Sequence, residues 1–411
     1  MLKNCLQSFS LFLLIITLII TISSHPLRGE DKMVYGTLQS EPARAQTNFD
    51  AGIRIAVLGV SWDRYEPQAG RFDEKYIADV LKKRDAFKAV GMMLMVDFGM
   101  QYPPAWVGEL PHGRFVNQYG DPYTDLGNPG SKVVNGVFNQ TVRDHQAAYV
   151  KKVLSDLGDV DFIRLGWGYY GEFGYPQPKF KDNENCYWAY DDLAQGRPTD
   201  RASLPPTLSP CPVPGWKPGE ASPDHHAASQ FINWYLDSLR DYHDWQIRTV
   251  RSMSDAKLCL LYPSWGVRPG QLEAAVMTDL SNTTPPERNG EPQRGHDFAR
   301  FINGITDRDT IIYTTWLDPN PEFSDENSPS PTRWSPVHFL ADLAGRHPLK
   351  LPVMGENTGP GTKEALALSL QRAGAYKLAG IVWAFEGDLY DGKNADLVMI
   401  DEFRDATSRK R

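Results

Sequence analysis

The chain has 411 residues, of which 41% are apolar and 23% carry a charge, with both signs represented. This composition supports a large buried core and excludes a disordered chain. The formal net charge of −8, without any dense run of basic residues, argues against nucleic-acid binding.

The N-terminus has the pattern of an export signal. Lys3 precedes a run of apolar and hydroxyl residues at positions 9–22, and Pro26 follows shortly after the run. The run has the length of a signal-peptide core and is short for a membrane-spanning helix. We therefore predict a signal peptide over residues 1–24, with an uncleaved anchor as the alternative and as the only membrane contact. The expected localisation is secreted or extracytoplasmic, in the periplasm or cell envelope.

Beyond this segment, short apolar strands alternate with helices. The strands are rich in β-branched residues and are flanked by turn residues, as buried parallel strands are. The predicted strands cover residues 33–38, 53–60, 92–98, 162–166, 258–262, 310–314, 352–355 and 380–385. The predicted helices cover residues 41–49, which are weakly marked, and 74–90, 140–157, 227–253, 296–305, 335–343 and 362–378.

Eight strand–helix alternations predict an α/β fold, a (β/α)8 TIM barrel that forms one catalytic domain over residues 31–405. A doubly wound open sheet is the alternative, but the Gly-rich phosphate loop expected after its first strand is missing. The loops after strands 3, 4, 5 and 6 are long, and the longest covers about residues 173–223. These loops follow the C-terminal ends of strands, where barrels build their active sites.

Three cysteines lie beyond the predicted signal peptide. Cys186 and Cys211 occur in one long loop and could form a disulfide in an oxidising compartment. Cys259 lies in an apolar strand and is expected to be a core thiol. Because the chain has neither a CxxC nor an HExxH motif, the sequence predicts no metal site, and it implies no cofactor.

Two glutamates follow predicted strands at positions that suit bond cleavage. Glu172 comes after strand 4 and Glu356 directly after strand 7, so both side chains are expected in the C-terminal mouth of the barrel. Such a pair cuts a glycosidic bond when one carboxyl protonates the leaving oxygen and the other attacks the anomeric carbon or activates water. Desolvation by Trp167, Tyr169 and Tyr170 would keep Glu172 protonated near neutral pH. We predict Glu172 as the acid/base and Glu356 as the nucleophile.

Other polar residues at strand ends are candidates for supporting roles. Glu386, at the end of strand 8, could bind sugar hydroxyls and is the alternative to Glu356 as the second carboxylate. Tyr313 on strand 6 is predicted to bind substrate and could donate a hydrogen bond to Glu356. Asp97 is expected to accept a hydrogen bond behind the site, and Glu66 is expected to stabilise a turn.

Tryptophans are concentrated near the predicted mouth. Sugars present apolar C–H faces that pack on aromatic rings, although about half of these rings are expected only to anchor loops. The tryptophans at strand ends are Trp62, Trp106, Trp167, Trp265, Trp316 and Trp383. We predict substrate contacts for all of them except Trp265, with Trp383 as the best candidate for stacking.

Short motifs connect the chain to a known group of enzymes. Residues 60–107 carry, in order, Trp62, Glu66-Pro67, Gly70-Arg71-Phe72 and Pro104-Ala105-Trp106. This series resembles the strand 2 to strand 3 region of clan A glycoside hydrolases, above all the family 42 and family 35 β-galactosidases. In layout the resemblance extends over most of the chain. It implies an acid/base after strand 4 and a nucleophile after strand 7, which are the positions of Glu172 and Glu356.

The chain departs from this pattern beside the predicted acid. The clan has an Asn there that binds the sugar 2-hydroxyl, whereas this chain has Gly171. Residues 171–176, Gly-Glu-Phe-Gly-Tyr-Pro, resemble a stretch of the family 14 β-amylases, which are inverting barrels. Three functions remain open: an exported retaining glycosidase of the β-galactosidase type, which we favour, an inverting β-amylase-like glucan hydrolase, and a non-catalytic carbohydrate-binding barrel. In each case the expected partner is an oligosaccharide or polysaccharide.

Overall fold

The fold is a closed barrel of parallel strands. The computed structural model describes residues 33–124, 132–199, 202–281 and 290–408, and the predicted signal peptide at residues 1–24 lies outside them. Each strand pairs with the next one along the chain, and the last pairs with the first. The strands are β1 (Val34–Thr37), β2 (Ile55–Gly59), β3 (Met93–Asp97), β4 (Phe162–Leu165), β5 (Lys257–Tyr262), β6 (Thr310–Thr314), β7 (Val353–Glu356) and β8 (Gly380–Trp383). The predicted (β/α)8 TIM barrel is confirmed.

Helices connect the strands, and all of the predicted helices are present. The helices are α1 (Ala45–Asp50), α2 (Trp62–Tyr65), α3 (Glu74–Val90), α4 (Ala105–Gly108), α5 (Gln140–Leu157), α6 (His226–Arg251), α7 (Gln271–Val276), α8 (Glu291–Arg294), α9 (Phe298–Asn303), α10 (Pro336–Arg346), α11 (Lys363–Ala375) and α12 (Ile400–Ser408). The short α2, α4, α7 and α8 and the C-terminal α12 were not predicted. None of the described helices is long and apolar enough to cross a membrane.

The helix ends follow signals that are visible in the sequence. The side chain of Asp73 accepts the first free N–H groups of α3, and the helix ends at Gly91, whose φ of 86° is left-handed. Ser335 caps α10 by accepting the N–H of His338, with Pro336 at the first helical position. These residues satisfy backbone groups that a helix cannot pair internally, and they therefore set where each helix begins and ends.

The two faces of each strand have different surroundings. Paired residues of a parallel sheet point to the same side, and Glu356 pairs with Val382. Because side chains alternate along a strand, Trp383 points to the opposite side, toward the helices. The ring of Trp383 packs there against Phe403 of α12, with centroids 5.7 Å apart. The alternation therefore leaves Glu356 inside the barrel and places Trp383 outside it.

The possible Cys186–Cys211 disulfide is not formed. Cys186, Cys211 and Cys259 are all buried free thiols. The Sγ of Cys186 accepts a hydrogen bond from Asn117 Nδ2 at 3.6 Å, while the backbone N–H of Cys211 is bonded to the carbonyl of Ala194. The two thiols are therefore packed among different neighbours. Cys259 lies in β5 as a core thiol, as expected.

The start of α5 allows a test of this helix-end analysis. The Oδ1 of Asn139 accepts the N–H groups of Thr141 and Val142 at 3.0 and 3.3 Å, and its Nδ2 donates to the carbonyl of Pro111 at 2.9 Å. We expect Asn139→Ala to lower the free energy of unfolding by about 1–2 kcal/mol, because a cap and a buried carbonyl partner are both lost. Urea denaturation measures the change. As the control, Asn327→Ala at an exposed position should change the free energy of unfolding by less than about 0.5 kcal/mol. If both variants lose the same amount of stability, Asn139 does not cap α5.

Candidate active site

A buried ion pair lies in the C-terminal mouth of the barrel. Glu356 is the last residue of β7 and is 8% exposed. Arg164 of β4 donates from Nη1 to Glu356 Oε2 at 2.9 Å, and its Nη2 lies 3.4 Å from Oε1. On its other side, the Nε of Arg164 is 3.5 Å from the carboxylate of Asp97, the last residue of β3. Two carboxylates therefore flank one guanidinium. Asp97 pairs with it by charge and not by a hydrogen bond from Nε, while its Oδ1 accepts the backbone N–H of Gly99 at 2.9 Å.

The surroundings keep Arg164 charged and orient Glu356. Burial by itself favours a neutral arginine, but the charges of Glu356 and Asp97 hold the pKa of Arg164 well above its usual value. The hydroxyl of Tyr313 donates to Glu356 Oε2 at 2.6 Å, which is the hydrogen bond expected from the sequence. Burial and the nearby Glu356 raise the pKa of Tyr313 well above its usual value, so the phenol stays a donor. Donors of this kind stabilise an ionised carboxylate in one orientation.

Glu172 has a different environment on the loop after β4. It is partly exposed, and its Oε1 accepts a 2.6 Å hydrogen bond from the hydroxyl of Thr315. Burial of the carboxyl, assisted by the charge of Glu356, raises the pKa of Glu172 to about 7, although Thr315 and Arg294 act in the opposite direction. Glu172 therefore keeps its proton over a pH range in which an ordinary carboxyl has lost it.

Close backbone contacts position Glu172. The N–H of Gly168 donates to the carbonyl of Glu172 at 2.9 Å, so the loop turns back on itself. A Cβ at Gly166 would lie 2.1 Å from the carbonyl oxygen of Gly171 and 2.7 Å from the Cα of Glu172. A side chain at position 166 would therefore push the loop away from β4. The absence of a Cβ at this position lets the acid lie directly against the end of its strand.

Hydrogen bonds to the end of β8 hold the end of β7, the strand that carries Glu356, in place. Asn357 exchanges two hydrogen bonds with the backbone of Ala384, one from its Nδ2 at 2.5 Å and one to its Oδ1 at 2.7 Å. These bonds join the ends of β7 and β8 directly beside the carboxylate. The sequence analysis did not single out Asn357, Arg164 or Thr315. Of these three residues, only Arg164 had a signal in the sequence. It is an arginine within an apolar strand, and a buried charge requires a partner of opposite charge.

The structure assigns Glu386 a different role from the one predicted. Its fully buried carboxylate accepts hydrogen bonds from Asn48 Nδ2 at 2.6 Å and from the backbone N–H of Glu41 at 3.0 Å. It also lies 3.4 Å from Nη1 of Arg44. Glu386 therefore joins the loop after β8 to the segment after β1. Because protein donors already engage both of its oxygens, it is not an alternative to Glu356, and the predicted contact with sugar hydroxyls is corrected.

Trp62 and Trp106 pack mainly against other protein groups. Trp62 is fully buried, donates to Glu66 Oε2 at 3.0 Å, and stacks on Tyr149 with ring centroids 5.2 Å apart. Trp106 packs edge-on against Trp62 at 6.2 Å and is partly exposed. The Oε1 of Glu66 accepts the N–H of Gly70 at 2.8 Å, which confirms its expected role in a turn. This cluster anchors the loops after β2 and β3.

Two further tryptophans have almost no exposed surface. Trp167 is 4% exposed and packs edge-on against Phe98 and Trp245, while Trp383 is 0% exposed. A buried ring has no free face on which a sugar could pack. The predicted stacking roles of Trp62, Trp167 and Trp383 are therefore corrected. Among the five tryptophans predicted to contact substrate, Trp106 and Trp316 are partly exposed, and their predicted contacts stay predictions.

Smaller aromatic rings are more exposed on the loops that follow strands. Tyr170, two residues before Glu172, is 49% exposed, and Phe323, in the loop after β6, is 51% exposed. Phe385, after β8, is 36% exposed. From the sequence, Tyr170 was predicted only to help desolvate Glu172, and neither phenylalanine was predicted to have a role. A position on a loop that follows a strand was the only sequence signal for these three rings, and the buried tryptophans share that signal.

The hydroxyl of Thr315 allows a test of the electrostatics. Thr315→Val removes a hydrogen bond that stabilises the charged form of Glu172, so we expect the pKa of Glu172 to rise further above its value of about 7. Carbon-13 NMR titration of the side-chain carboxyl measures the shift. Thr315→Ser keeps the hydroxyl and should leave the pKa nearly unchanged. A lower pKa of Glu172 in the valine variant would show that the Thr315 hydroxyl does not stabilise the charged form of this carboxyl.

Comparisons with known proteins support the fold. No family model matches the sequence, and no curated protein matches it. Among solved structures, the catalytic domain of the β-amylase from Paenibacillus polymyxa is similar, with a TM-score of 0.63 at 15% identity over 93% of this chain and 98% of that one. The β-galactosidase from the psychrophilic Marinomonas ef1 has a TM-score of 0.55 at 12% identity, over 92% of this chain and 59% of its own.

The β-galactosidase from the haloarchaeon Halorubrum lacusprofundi gives a TM-score of 0.53 at 14% identity, over 92% of this chain and 58% of its own. The chain thus spans nearly the whole β-amylase domain but less than two thirds of either β-galactosidase. At such low identities the likeness concerns architecture, because one barrel fold supports many chemistries. The chain therefore has the (β/α)8 barrel fold that this β-amylase and these β-galactosidases share.

Proposed function

We propose that this protein is a glycoside hydrolase in which Glu172 is the general acid/base and Glu356 is the nucleophile. The observation that carries the proposal is the inequality of the two carboxyls. Burial raises the pKa of Glu172 to about 7, whereas Glu356 is bound by the guanidinium of Arg164 and the phenol of Tyr313. Cleavage of a glycosidic bond requires one protonated and one ionised carboxyl at the same pH.

In the first step, Glu172 gives its proton to the glycosidic oxygen while an oxygen of Glu356 attacks the anomeric carbon. The bond to the leaving alcohol breaks, and a glycosyl ester forms on Glu356. The Oε2 of Glu356 already accepts the two shorter hydrogen bonds, at 2.9 Å from Arg164 and 2.6 Å from Tyr313. Its Oε1 has only the 3.4 Å contact with Arg164 and is therefore the oxygen better placed to attack.

In the second step, the Glu172 carboxylate takes a proton from a water molecule that attacks the same carbon. The ester bond breaks, and Glu356 leaves as a carboxylate, so the sugar keeps its original configuration. Arg164 and Tyr313 stabilise the negative charge that returns to Glu356. The partly exposed position of Glu172 suits this second step, because the attacking water reaches the site from solvent, and the proton that it gives to Glu172 restores the acid for the next turnover.

The substrate class we propose is β-linked galactosides or related glycans, cleaved outside the cytoplasm. The motifs of residues 60–107 support it, as does the shared barrel of the two β-galactosidases. Inverting hydrolysis of glucans is the second candidate. Residues 171–176 favour it, and the β-amylase domain matches over 98% of its length. A carbohydrate-binding barrel without activity would have no need of two carboxyls with such different surroundings.

Product stereochemistry separates these candidates. The protein is incubated with 4-nitrophenyl β-D-galactopyranoside and, separately, with maltopentaose, and proton NMR follows the anomer that forms first. Release of β-galactose supports the retaining enzyme. Release of β-maltose from maltopentaose, with the configuration inverted, supports the β-amylase-like enzyme. If both sugars bind and neither is hydrolysed, the carbohydrate-binding barrel is supported and the enzymatic proposal is wrong.

Variants of the two glutamates should lose activity without losing the fold. We expect Glu172→Gln and Glu356→Gln each to lower kcat/KM by at least about 10²–10⁴-fold, since each step needs a proton transfer or a nucleophile that an amide cannot supply. Initial rates measure the loss, and thermal unfolding checks the fold. Glu322→Gln, an exposed carboxyl in the loop after β6, is the matched control and should retain full activity. Wild-type rates in either of the first two variants would contradict the assignment.

The pH dependence follows from the raised pKa. Cleavage needs Glu172 protonated, so we expect kcat/KM to fall as the pH rises through about 7, the pKa of that carboxyl. The fall on the alkaline side should move to higher pH in Thr315→Val, in the same direction as the pKa of Glu172. Rates from pH 4 to pH 9 in the wild type and in this variant measure both effects. If the alkaline fall in kcat/KM occurs at the same pH in Thr315→Val and in the wild type, a group other than Glu172 causes it.

A further inference from the structure

A buried amide lies beside Glu172 with no partner for its oxygen. Gln101, on the loop after β3, is 8% exposed, and its Oε1 accepts no hydrogen bond within the described part of the chain. A Cβ built on Gly171, the residue before Glu172, would lie 3.1 Å from this oxygen. The amide of Gln101 therefore occupies the space that a side chain at position 171 would fill, directly next to the acid.

The turn that carries Gln101 is fixed. The N–H of Tyr102 donates to the carbonyl of Gly99 at 2.9 Å, and the N–H of Gly99 donates to Asp97 Oδ1 at 2.9 Å. Gly99 has a φ of +61°, and a Cβ there would lie 1.8 Å from the carbonyl oxygen of Val60. The turn is thus packed tightly against the end of β2. Gln101 is therefore presented from a rigid backbone and not from a loose loop.

An unsatisfied amide oxygen in a buried position is unfavourable. Leaving such a group without a donor costs the full desolvation of the group, which is why nearly all buried polar groups in proteins are paired. A rigid turn that keeps the oxygen unpaired is consistent with a donor that arrives from outside the chain. The proposed substrate supplies such donors, because a sugar ring carries hydroxyls around the bond to which Glu172 gives its proton.

We propose that Gln101 is a substrate-binding residue whose Oε1 accepts a hydrogen bond from a ring hydroxyl of the sugar at the bond that is cleaved. The inference rests on the proposed glycosidase function and adds a specificity determinant to the same site. The hydrogen bond orients the sugar ring relative to Glu172. It also excludes a ligand that lacks the hydroxyl, because such a ligand would leave the buried oxygen unpaired.

The test replaces the amide and keeps its shape. Gln101→Met retains the length of the side chain and removes the acceptor. The probe is whichever of 4-nitrophenyl β-D-galactopyranoside and maltopentaose the wild type hydrolyses. We expect kcat/KM to fall about 10–100-fold, because a substrate hydrogen bond is lost. The midpoint of thermal unfolding should stay unchanged or rise, because an unsatisfied buried oxygen has been removed from the free protein.

A second pair of variants moves the amide to the neighbouring position. In Gln101→Ala the space beside Gly171 is open, and Gly171→Asn can then place an amide there. Asn is the amide residue that best tolerates the left-handed φ of +78° at this position. We expect the double variant to recover at least about tenfold in kcat/KM over Gln101→Ala alone. Gly171→Asn alone should lose activity, because its side chain meets Gln101.

The outcomes separate this inference from the function on which it rests. Wild-type kcat/KM in Gln101→Met would overturn the substrate contact and leave the glycosidase proposal intact. A lowered unfolding midpoint with full activity would also overturn it, because that result indicates an oxygen satisfied by an internal water. If the wild type hydrolyses neither probe, the proposed function fails first, and the role of Gln101 fails with it.

Discussion

The architecture of the mouth depends on a positive charge that is buried inside the barrel. An unpaired guanidinium in such a position would be strongly destabilising, so Arg164 requires carboxylates within reach. Asp97 and Glu356 supply them from the ends of β3 and β7, and all three side chains are thereby constrained. Tyr313 can then donate to a carboxylate whose orientation is already set. One buried charge on β4 thus organises strands on both sides of the barrel.

The same charge explains why two glutamates in one mouth behave differently. Glu356 lies against the guanidinium, while Glu172 accepts a hydrogen bond from a neutral hydroxyl, that of Thr315. Desolvation therefore dominates at Glu172 and raises its pKa to about 7. Identical side chains thus have different electrostatic surroundings because their neighbours differ, and acid–base chemistry with two carboxyls at a single pH depends on such a difference.

Much of the mouth serves to keep these groups in place. Asn357 joins the ends of β7 and β8, and Glu386 joins the loop after β8 to the segment after β1. Buried tryptophans anchor the loops after β2 and β4. Gly166 and Gly99 permit backbone approaches that any side chain would prevent. With the scaffold fixed in this way, the groups left for a ligand are few: the carboxyls, the amide of Gln101 and exposed rings such as Tyr170.

The sequence by itself determined the barrel and the placement of Glu172 and Glu356 after its fourth strand and at the end of its seventh. Eight short apolar strands separated by capped helices form a closed parallel sheet, whose strands all end on one face, so the strand-end glutamates had to meet there. Only the tertiary structure decided which neighbours each side chain has. Arg164 and Glu356 are 192 positions apart in the chain, and a single step along β8 separates the inward Val382 from the buried, outward Trp383. Burial and charge pairing depend on groups from distant segments of the chain. The local sequence of a strand shows only that its side chains alternate between two faces, and not what packs against either face.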